Sequence, residues 1–455
     1  MTRMIVLLAA ASFLMVSTPC PAQANSDVAQ ENAQLRQRVD KLEKQVEELK
    51  TAVEPAPSQV KSKAQTPAPQ APLSPAPSEP EKKPLWSNLD IQLYGYIKGD
   101  AAYDTSRVNT GNYMLWVNSE ATNDDDDEFN VTANETRLGV AIAGPKAPDM
   151  ETSGKVEFDF FGSGAEENKA KIQMRHAYLQ LFWPQSRFAI LAGQTWDVIS
   201  PLTPSTLNYT VLWDAGNIGY RRPQIRLTKD FLLADKTILQ LQGAAVRTIG
   251  TNLAVGTSTS ETGEDAGFPT LQGRVGLTFP WCPAGPTQAG ISGHVGHEEF
   301  DLDTTGRNTD VDTWSLNLDL MQPITQKVLF KGELFTGRDL STYFGGVGQG
   351  ITMTTGAGGV LINAKEIAAH GGWFAFTLGP WEKWTFNAGA GLDDVDADDV
   401  NQGDRTLNRA VFGNVLYALN KHVNVGFELS HWRTDYRGPW DADDVRAQTS
   451  LIYKF

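Results

Sequence analysis

The chain has 455 residues, a net charge of −15 and two cysteines. The acidic balance argues against nucleic acid as a partner, because nucleic-acid-binding surfaces are typically basic. Two cysteines exclude a disulfide-rich scaffold, and the length allows more than one domain.

Residues 1–24 have the pattern of a secretory signal peptide. Arg3 supplies a positive start, residues 4–16 form an apolar run, and Ala22-Gln23-Ala24 is a small-x-small cleavage site. The run of about 13 residues is shorter than the roughly 20 that a spanning helix needs. Lipid attachment at Cys20 is a weaker alternative. Cleavage after Ala24 would leave Cys282 as the one thiol, in a chain exported to the cell envelope or beyond.

Residues 25–53 carry a heptad repeat, and residues 54–84 a Pro-rich linker. Apolar residues recur from Val28 to Val53 at spacings of four and three, with Leu at the d positions from Leu35 on. This pattern predicts a short α-helical coiled coil and self-association, and Val at a with Leu at d favours two strands. A single amphipathic helix packed on a globular core is the alternative. The following Pro, Ala and Ser repeats predict an extended spacer.

Residues 85–455 show a period of two. DIQLYGYIKGD and HVNVGFELS alternate apolar with polar or small residues, and about sixteen such stretches follow one another, joined by seven short and eight long connections. This pattern is typical of an all-β, sixteen-stranded antiparallel transmembrane β-barrel. A soluble sandwich also alternates, but here one face of nearly every strand is polar. Aromatic residues near the strand ends fit membrane-interface girdles: Trp281, Trp373, Trp381, Trp384, Tyr417, Trp432, Tyr436, Trp440 and Tyr453.

A sixteen-stranded barrel is too wide for its side chains to fill, so a water-filled channel is expected. Parity and one pair of arginines predict the basic residues that line the pore and contact solutes: Lys98, Arg137, Lys155, Arg175, Arg221, Arg222, Arg226, Arg274, Lys331 and Arg446. Basic rings favour anions. Acids on the same face are fewer: Asp100, Glu157, Asp159, Asp319 and Glu333. Each basic residue could instead pair with a neighbouring carboxylate. The long segment 200–222 would narrow the channel if it folds inward, and otherwise is a surface loop.

The sequence contains no sign of an enzyme. It lacks HExxH and G-x-S-x-G motifs, and none of the six histidines lies in a catalytic pattern. His294 and His297 are three residues apart, which on a strand places them on opposite faces. We therefore predict no catalytic residue, metal site or cofactor.

The organisation resembles the DcaP-like outer-membrane porins. The resemblance rests on the coiled coil AQENAQLRQRVDKLEKQVEELK, the Pro-rich linker, the opening strand LDIQLYGYIKGDAAYD, and the segments NETRLGVAIAGP and KIQMRHAYLQLFWPQSRFAILAGQTWDVISP. It covers nearly the whole mature chain. It implies a homotrimeric barrel in the bacterial outer membrane, a periplasmic coiled coil and passive uptake of small anionic solutes such as dicarboxylates. It also implies that the third long loop forms the constriction.

The resemblance maps onto few individual residues, namely Arg137, Arg175 and the pair Arg221 and Arg222. Outer-membrane barrels of this kind end in an alternating strand with a terminal Phe, as in SLIYKF. Such a barrel would contact outer-membrane lipid and lipopolysaccharide. The acidic loops leave the strength of anion preference open. A structural alternative is an outer-membrane anchor that tethers the cell wall through residues 25–84.

Overall fold

The computed structural model describes residues 89–455, apart from 110, 112, 122–125, 145–146, 163–169, 235, 251–262, 302–307 and 356–360. The predicted signal peptide, coiled coil and linker lie outside the described residues. The strands are β1 (Asp90–Asp104), β2 (Glu128–Thr132), β3 (Arg137–Ala143), β4 (Glu151–Asp159), β5 (Gln173–Trp183), β6 (Phe188–Trp196), β7 (Arg221–Ala234), β8 (Thr237–Val246), β9 (Thr270–Cys282), β10 (Gly285–Asp301), β11 (Asn308–Thr325), β12 (Val328–Arg338), β13 (Ile351–Thr355), β14 (Leu361–Glu366), β15 (Ala368–Trp381), β16 (Trp384–Val395), β17 (Arg405–Ala418), β18 (Val423–Tyr436) and β19 (Ala442–Lys454). Three short 3₁₀ turns (Glu264–Ala266, Ser341–Tyr343 and Gly346–Gly348) complete the described elements.

The sheet closes on itself as an antiparallel barrel. β1 pairs with the last strand, β19, from Tyr96 opposite Lys454 to Asp104 opposite Arg446. On its other side β1 pairs in succession with β2 and β3, which therefore share one position in the wall. The 17-stranded sheet thus has sixteen positions around the barrel, while β13 and β14 form a separate hairpin. The predicted all-β, sixteen-stranded antiparallel barrel is confirmed.

The two ends of the barrel differ in the length of their connections. Seven connections join strands at one end and eight at the other, and most of the eight are longer, as the sequence predicts. Short turns mark the periplasmic end of outer-membrane barrels and long loops the extracellular end. Three of the long connections matter below: loop 1 (residues 105–127), loop 3 (residues 197–220) and loop 6 (residues 339–367).

The apolar and polar faces of the strands follow the predicted parity. On β19, Leu451 and Tyr453 are exposed on the outer wall, whereas Gln448 and Ser450 are buried inside. Large apolar side chains are exposed on the outside of most strands, as a lipid-facing surface requires. No helix in the described part of the chain is long and apolar enough to span a membrane.

The inside of the barrel contains the hydrophobic core. Loops 1, 3 and 6 fold inward and pack against the wall, with Met114, Leu212 and Val347 less than 2% exposed. This differs from the expectation that the inward face simply borders water. At the extracellular end, much of the polar wall face is covered by these loops.

Three of the predicted girdle aromatics, Trp373, Trp432 and Tyr436, point inward instead of toward the membrane interface, and the Tyr436 hydroxyl donates to the Val117 carbonyl oxygen of loop 1 (2.7 Å). Trp373 is buried against loop 3 and donates a hydrogen bond from Nε1 to Glu333 Oε2 (3.1 Å). Trp432 is also buried in the barrel and bonds to Ser430 Oγ (3.1 Å). Position near a strand end does not distinguish these residues from Trp381 and Trp384, which are exposed at the short-turn end. Only the inward-folded loops explain why an apolar ring is stable on the inner face.

A buried ion pair joins the first strand to the last. Arg446 Nη1 donates to both carboxylate oxygens of Asp104 (3.0 and 3.1 Å) and to the Gly111 carbonyl oxygen of loop 1 (2.8 Å). Both side chains are almost completely buried. The pair therefore connects the closing seam of the barrel to loop 1.

We expect Arg446→Ala to destabilise the barrel by about 3–5 kcal/mol, because it leaves the Asp104 carboxylate buried without its partner. The measurement is the temperature at which the folded barrel unfolds in detergent, followed on a gel that separates folded from unfolded chains. Lys454→Ala removes an exposed charge from the same strand and serves as the control. Equal unfolding temperatures for the two variants would contradict a stabilising role for the pair.

Candidate functional site

Loop 3 crosses the inside of the barrel and contacts the opposite wall. It leaves β6 and returns to β7, yet the Leu207 carbonyl oxygen accepts hydrogen bonds from Lys98 Nζ on β1 (2.7 Å) and Gln448 Nε2 on β19 (3.0 Å). The inward position resolves the alternative that residues 200–222 form an ordinary surface loop. The loop narrows the space that remains for a solute.

Glu428 of β18 fixes the tip of loop 3 from the far wall. Its carboxylate accepts the backbone N–H groups of Leu207 (2.6 Å) and Asn208 (3.2 Å) and the Asn414 side-chain amide (2.8 Å). Sequence parity places Glu428 on the inward face but cannot predict its two partners in loop 3, because they lie more than 200 positions away. We call Glu428, Lys98 and Gln448 with the loop 3 tip the latch.

Close backbone approach explains how loop 3 lies flat on the wall near its return. A side chain at Gly216 would meet the Gly372 carbonyl oxygen at 2.2 Å, and one at Gly391 would meet the Ala215 carbonyl oxygen at 2.2 Å. Glycine is the residue that permits such contacts. Nearby, Val211, Leu212 and Asp214 all adopt positive φ angles (47°, 63° and 57°), a tight conformation that the surrounding packing must maintain.

Loops 1 and 6 bind to loop 3 and form one body with it. The Trp213 and Phe344 rings stack with centroids 4.4 Å apart, and the Asp214 carboxylate accepts the Gly348 N–H (2.8 Å). Asn408 of β17 donates to the carbonyl oxygens of both Leu115 in loop 1 and Asp214 in loop 3 (2.7 Å each). Complete burial raises the pKa of Asp214 to about 7, and the nearby Arg405 and the Gly348 N–H partly offset this shift.

Five of the ten predicted basic residues are buried beneath this body and do not border open water: Lys98, Arg175, Arg221, Arg222 and Arg446. Four of them are neutralised by carboxylates, including Arg446, which pairs with Asp104 as described above. Arg175 contacts Glu157 (2.8 Å) and Asp159 (2.7 Å), Arg222 lies 3.5 Å from Asp197, and Lys98 pairs with Glu135. These residues anchor loops to the wall, which parity alone cannot reveal because it predicts the face and not what covers it.

Arg221 is an exception among the buried cations. Among the described residues, none of its three nitrogens has a well-formed hydrogen bond. Its guanidinium lies instead over the rings of Tyr220 (4.4 Å) and Trp196 (4.9 Å). Cation–π contact compensates part of the desolvation cost. No described carboxylate forms an ion pair with Arg221, so its charge contributes positive potential at the start of β7.

The other five predicted residues are partly exposed to the interior: Arg137, Lys155, Arg226, Arg274 and Lys331. The Arg137 and Lys155 side chains are 23% and 29% exposed, and both approach Glu157, which is 5% exposed. Arg274 forms a two-bond pair with Asp319 (3.0 and 2.6 Å), and Asp319 is again the more buried partner. The positive group thus faces the open space in each pair.

A cavity of about 440 Å³ lies beside loop 3 and brings two of these residues together. Arg226 and Arg274 line it, with Trp196 and Trp213 on the loop side. Arg226 donates from Nε to Gln224 Oε1 (2.9 Å) and contacts the Trp196 carbonyl oxygen, but forms no ion pair within the described part of the chain. Three amides that sequence analysis did not select also line the cavity: Gln240, Gln242 and Gln288. Their inward parity was the available signal.

The side chains that line this cavity are mainly hydrogen-bond donors. Arginine offers several N–H donors to a carboxylate, and glutamine side chains offer further donors and acceptors. No group of three or more metal-ligating side chains occurs among the residues that the structure describes.

Comparison with known proteins agrees with this architecture. The sequence model of the DcaP outer membrane protein family matches residues 19–259. The fold resembles the outer membrane channel DcaP of Acinetobacter baumannii, with a TM-score of 0.63 and 19% identity over 81% of this chain and 98% of that one. More distant likenesses include an anion-selective porin of Comamonas acidovorans (TM-score 0.48, 13% identity, 81% and 100% covered) and the trimer form of OmpT of Vibrio cholerae (0.48, 12%, 81% and 100%). No curated protein matches the chain in sequence.

We expect Glu428→Ala to release the tip of loop 3 and increase single-channel conductance. The substitution leaves two buried N–H groups without an acceptor, at a cost of about 1–3 kcal/mol each. The measurement is the current through single channels in a planar lipid bilayer. Glu382→Ala, at an exposed periplasmic turn, is the control. An unchanged conductance and current noise in Glu428→Ala would show that the latch does not limit the pore.

Proposed function

Because the chain belongs to the DcaP outer membrane protein family, we propose that its barrel is a passive channel for small anionic solutes such as dicarboxylates. This proposal starts from the porin-like barrel in the outer membrane. Passive diffusion needs only a polar, partly open interior, and the described residues include the cavity beside loop 3. A carboxylate solute would exchange water for the donors of Arg226 and the three glutamines.

The observation that carries the charge preference is the unequal exposure of cations and acids inside the barrel. Arg137, Lys155 and Arg274 each pair with an acid that is more buried than they are. A solute therefore meets the guanidinium or ammonium group before the carboxylate. A positive surface within a low-dielectric wall concentrates anions.

The acidic loops oppose this preference at the extracellular mouth. The chain has a net charge of −15, and DDVDADD at 393–399 and DADD at 441–444 contain many of the acids at that end. Surface charges separated by more than the Debye length of about 8 Å are largely screened at physiological salt. We infer that the cavity decides selectivity and that the mouth lowers the rate of anion entry at low salt.

We propose a homotrimer with a periplasmic coiled coil formed by residues 25–53. The heptad from Val28 to Val53 supports self-association, and the resemblance to the DcaP-like porins supports three subunits rather than two. The described strands between residues 90 and 454 fill all sixteen positions of the wall, which supports the alternative that residues 25–84 tether the cell wall. The two roles are compatible.

We expect the wild-type channel to pass anions at least as well as cations, and Arg226→Gln to shift the balance toward cations. The physical reason is the loss of an interior charge that forms no ion pair with any carboxylate in the described ranges. The measurement is the reversal potential under a salt gradient in a planar bilayer. Arg409→Gln makes the same change on the outward face of β17 and should leave the reversal potential unchanged. A clear cation preference in the wild type would reject the anion proposal while leaving the pore intact.

A further inference from the structure

The outer wall of the barrel contains an apolar concavity on the side formed by β11 to β18. Its volume is about 1240 Å³, roughly forty times the share of one water in the liquid, which is about 30 Å³. Four outward-facing side chains line it, and each is 44–61% exposed: Leu318, Leu334, Phe374 and Leu392. Two smaller cavities on other parts of the outer wall have volumes of about 300 and 670 Å³.

Alternating large and small side chains create the depression. Cross-strand pairing places Leu334 beside Gly372, which lies beside Leu392. One pair further toward the periplasm, Phe374 lies between Gly332 and Ala390. The small residues leave gaps between the large ones, deep enough for alkyl chains. A smooth lipid-facing wall would not need this pattern.

Two arginines continue the row of Leu334, Gly372 and Leu392 across the next two strands. Arg409 of β17 lies directly opposite Arg433 of β18, and both line the concavity. Like charges directly opposite one another on adjacent strands are destabilising. Arg433 is neutralised by Asp435 (2.7 Å) and Asp441 (3.0 Å).

Arg409 has no such partner. The other nearby acids contact histidines, with Asp394 3.6 Å from His370 and Asp443 3.6 Å from His431. Across the described ranges of the chain, Arg409 forms no ion pair and no side-chain hydrogen bond. It is exposed and lies four residues after β17 begins at the long-loop end. An unpaired cation above an apolar groove at this depth matches a lipid phosphate with attached acyl chains.

We propose that this concavity binds a phosphorylated lipid of the outer leaflet, of the lipid A type that anchors lipopolysaccharide. The phosphate contacts Arg409 and relieves its repulsion with Arg433, and acyl chains fill the gaps around Gly332, Gly372 and Ala390. The site is on the outside of the wall, so it is independent of the proposed solute path. It assigns the β11–β18 side of the barrel to lipid and not to a neighbouring subunit.

The experiment measures lipid binding to the folded full-length protein by native mass spectrometry. The probes are bisphosphorylated lipid A and lipid A from which both phosphates have been removed. EDTA is present, so that divalent cations bridging phosphate to the nearby aspartates do not contribute. We expect the wild type to retain the phosphorylated lipid preferentially, and Arg409→Gln to weaken its binding about fivefold.

Matched variants distinguish the loss of lipid binding in the concavity from general effects of a substitution on the outer surface. Val411 lines the concavity and Val295 does not, yet both are outward-facing and 60% exposed. Val411→Trp should reduce retention of both lipids by occupying the groove, and Val295→Trp should not. Arg187→Gln, at a periplasmic turn, controls for the loss of one exposed arginine.

Three results would overturn the proposal. The first is equal retention of lipid A with and without phosphate, and the second is unchanged binding in both Arg409→Gln and Val411→Trp. The third is loss of the oligomer in Val411→Trp with lipid retention unchanged, which would assign the concavity to a second copy of the chain. The same spectra report oligomer mass and bound lipid, so these outcomes are distinguishable.

Discussion

The whole structure depends on the pairing of backbone N–H and C=O groups in a medium without water. In hydrocarbon an unpaired peptide group costs several kcal/mol, so a sheet that spans a membrane must have no free edge. The pairing of β1 with β19 removes the last edge, and the residues at this seam include the buried ion pair of Asp104 and Arg446. Phe455 extends the same seam through two backbone hydrogen bonds with Gly95 (3.2 and 3.3 Å).

Closure places apolar residues on the outside of the barrel, the reverse of a water-soluble protein. The inward-folded loops then place a second set of apolar residues inside. Outside, leucines and valines face lipid; inside, the wall is polar. Yet loops 1, 3 and 6 bring apolar residues into the interior, where Leu212, Trp373 and Phe412 pack together. Many inward polar groups consequently bond to loop backbone instead of water, as Asn408 and Glu428 do. The extracellular half is therefore built like a globular core within a membrane wall, and the open space is confined to cavities such as the one beside Arg226.

The sequence pattern predicts much of the fold, because a period of two arises when successive side chains of a strand point to opposite faces. It yields the strand number, the approximate connection lengths and the face of most side chains, including the inward position of Glu428. It cannot yield which side chains the loops cover, because those contacts join residues far apart along the chain. Arg222 and Arg226 have the same parity, but loop 6 contacts the first through Thr342, whereas the second lines the cavity. Trp373 and Trp432 mislead for the same reason, since their inward orientation is stable only against loops.

The latch has a consequence for the order in which the barrel can assemble. Leu207 and Glu428 are 221 positions apart, and Gln448 is 241 positions from Leu207. Contacts of such separation form only after the intervening chain is positioned, so the tip of loop 3 cannot be fixed until β18 and β19 have joined the sheet. Until then the interior would be wider and its apolar loop residues uncovered. The seam and the narrowing of the pore are thus completed in the same late step of folding, and a chain truncated before β18 would lack both.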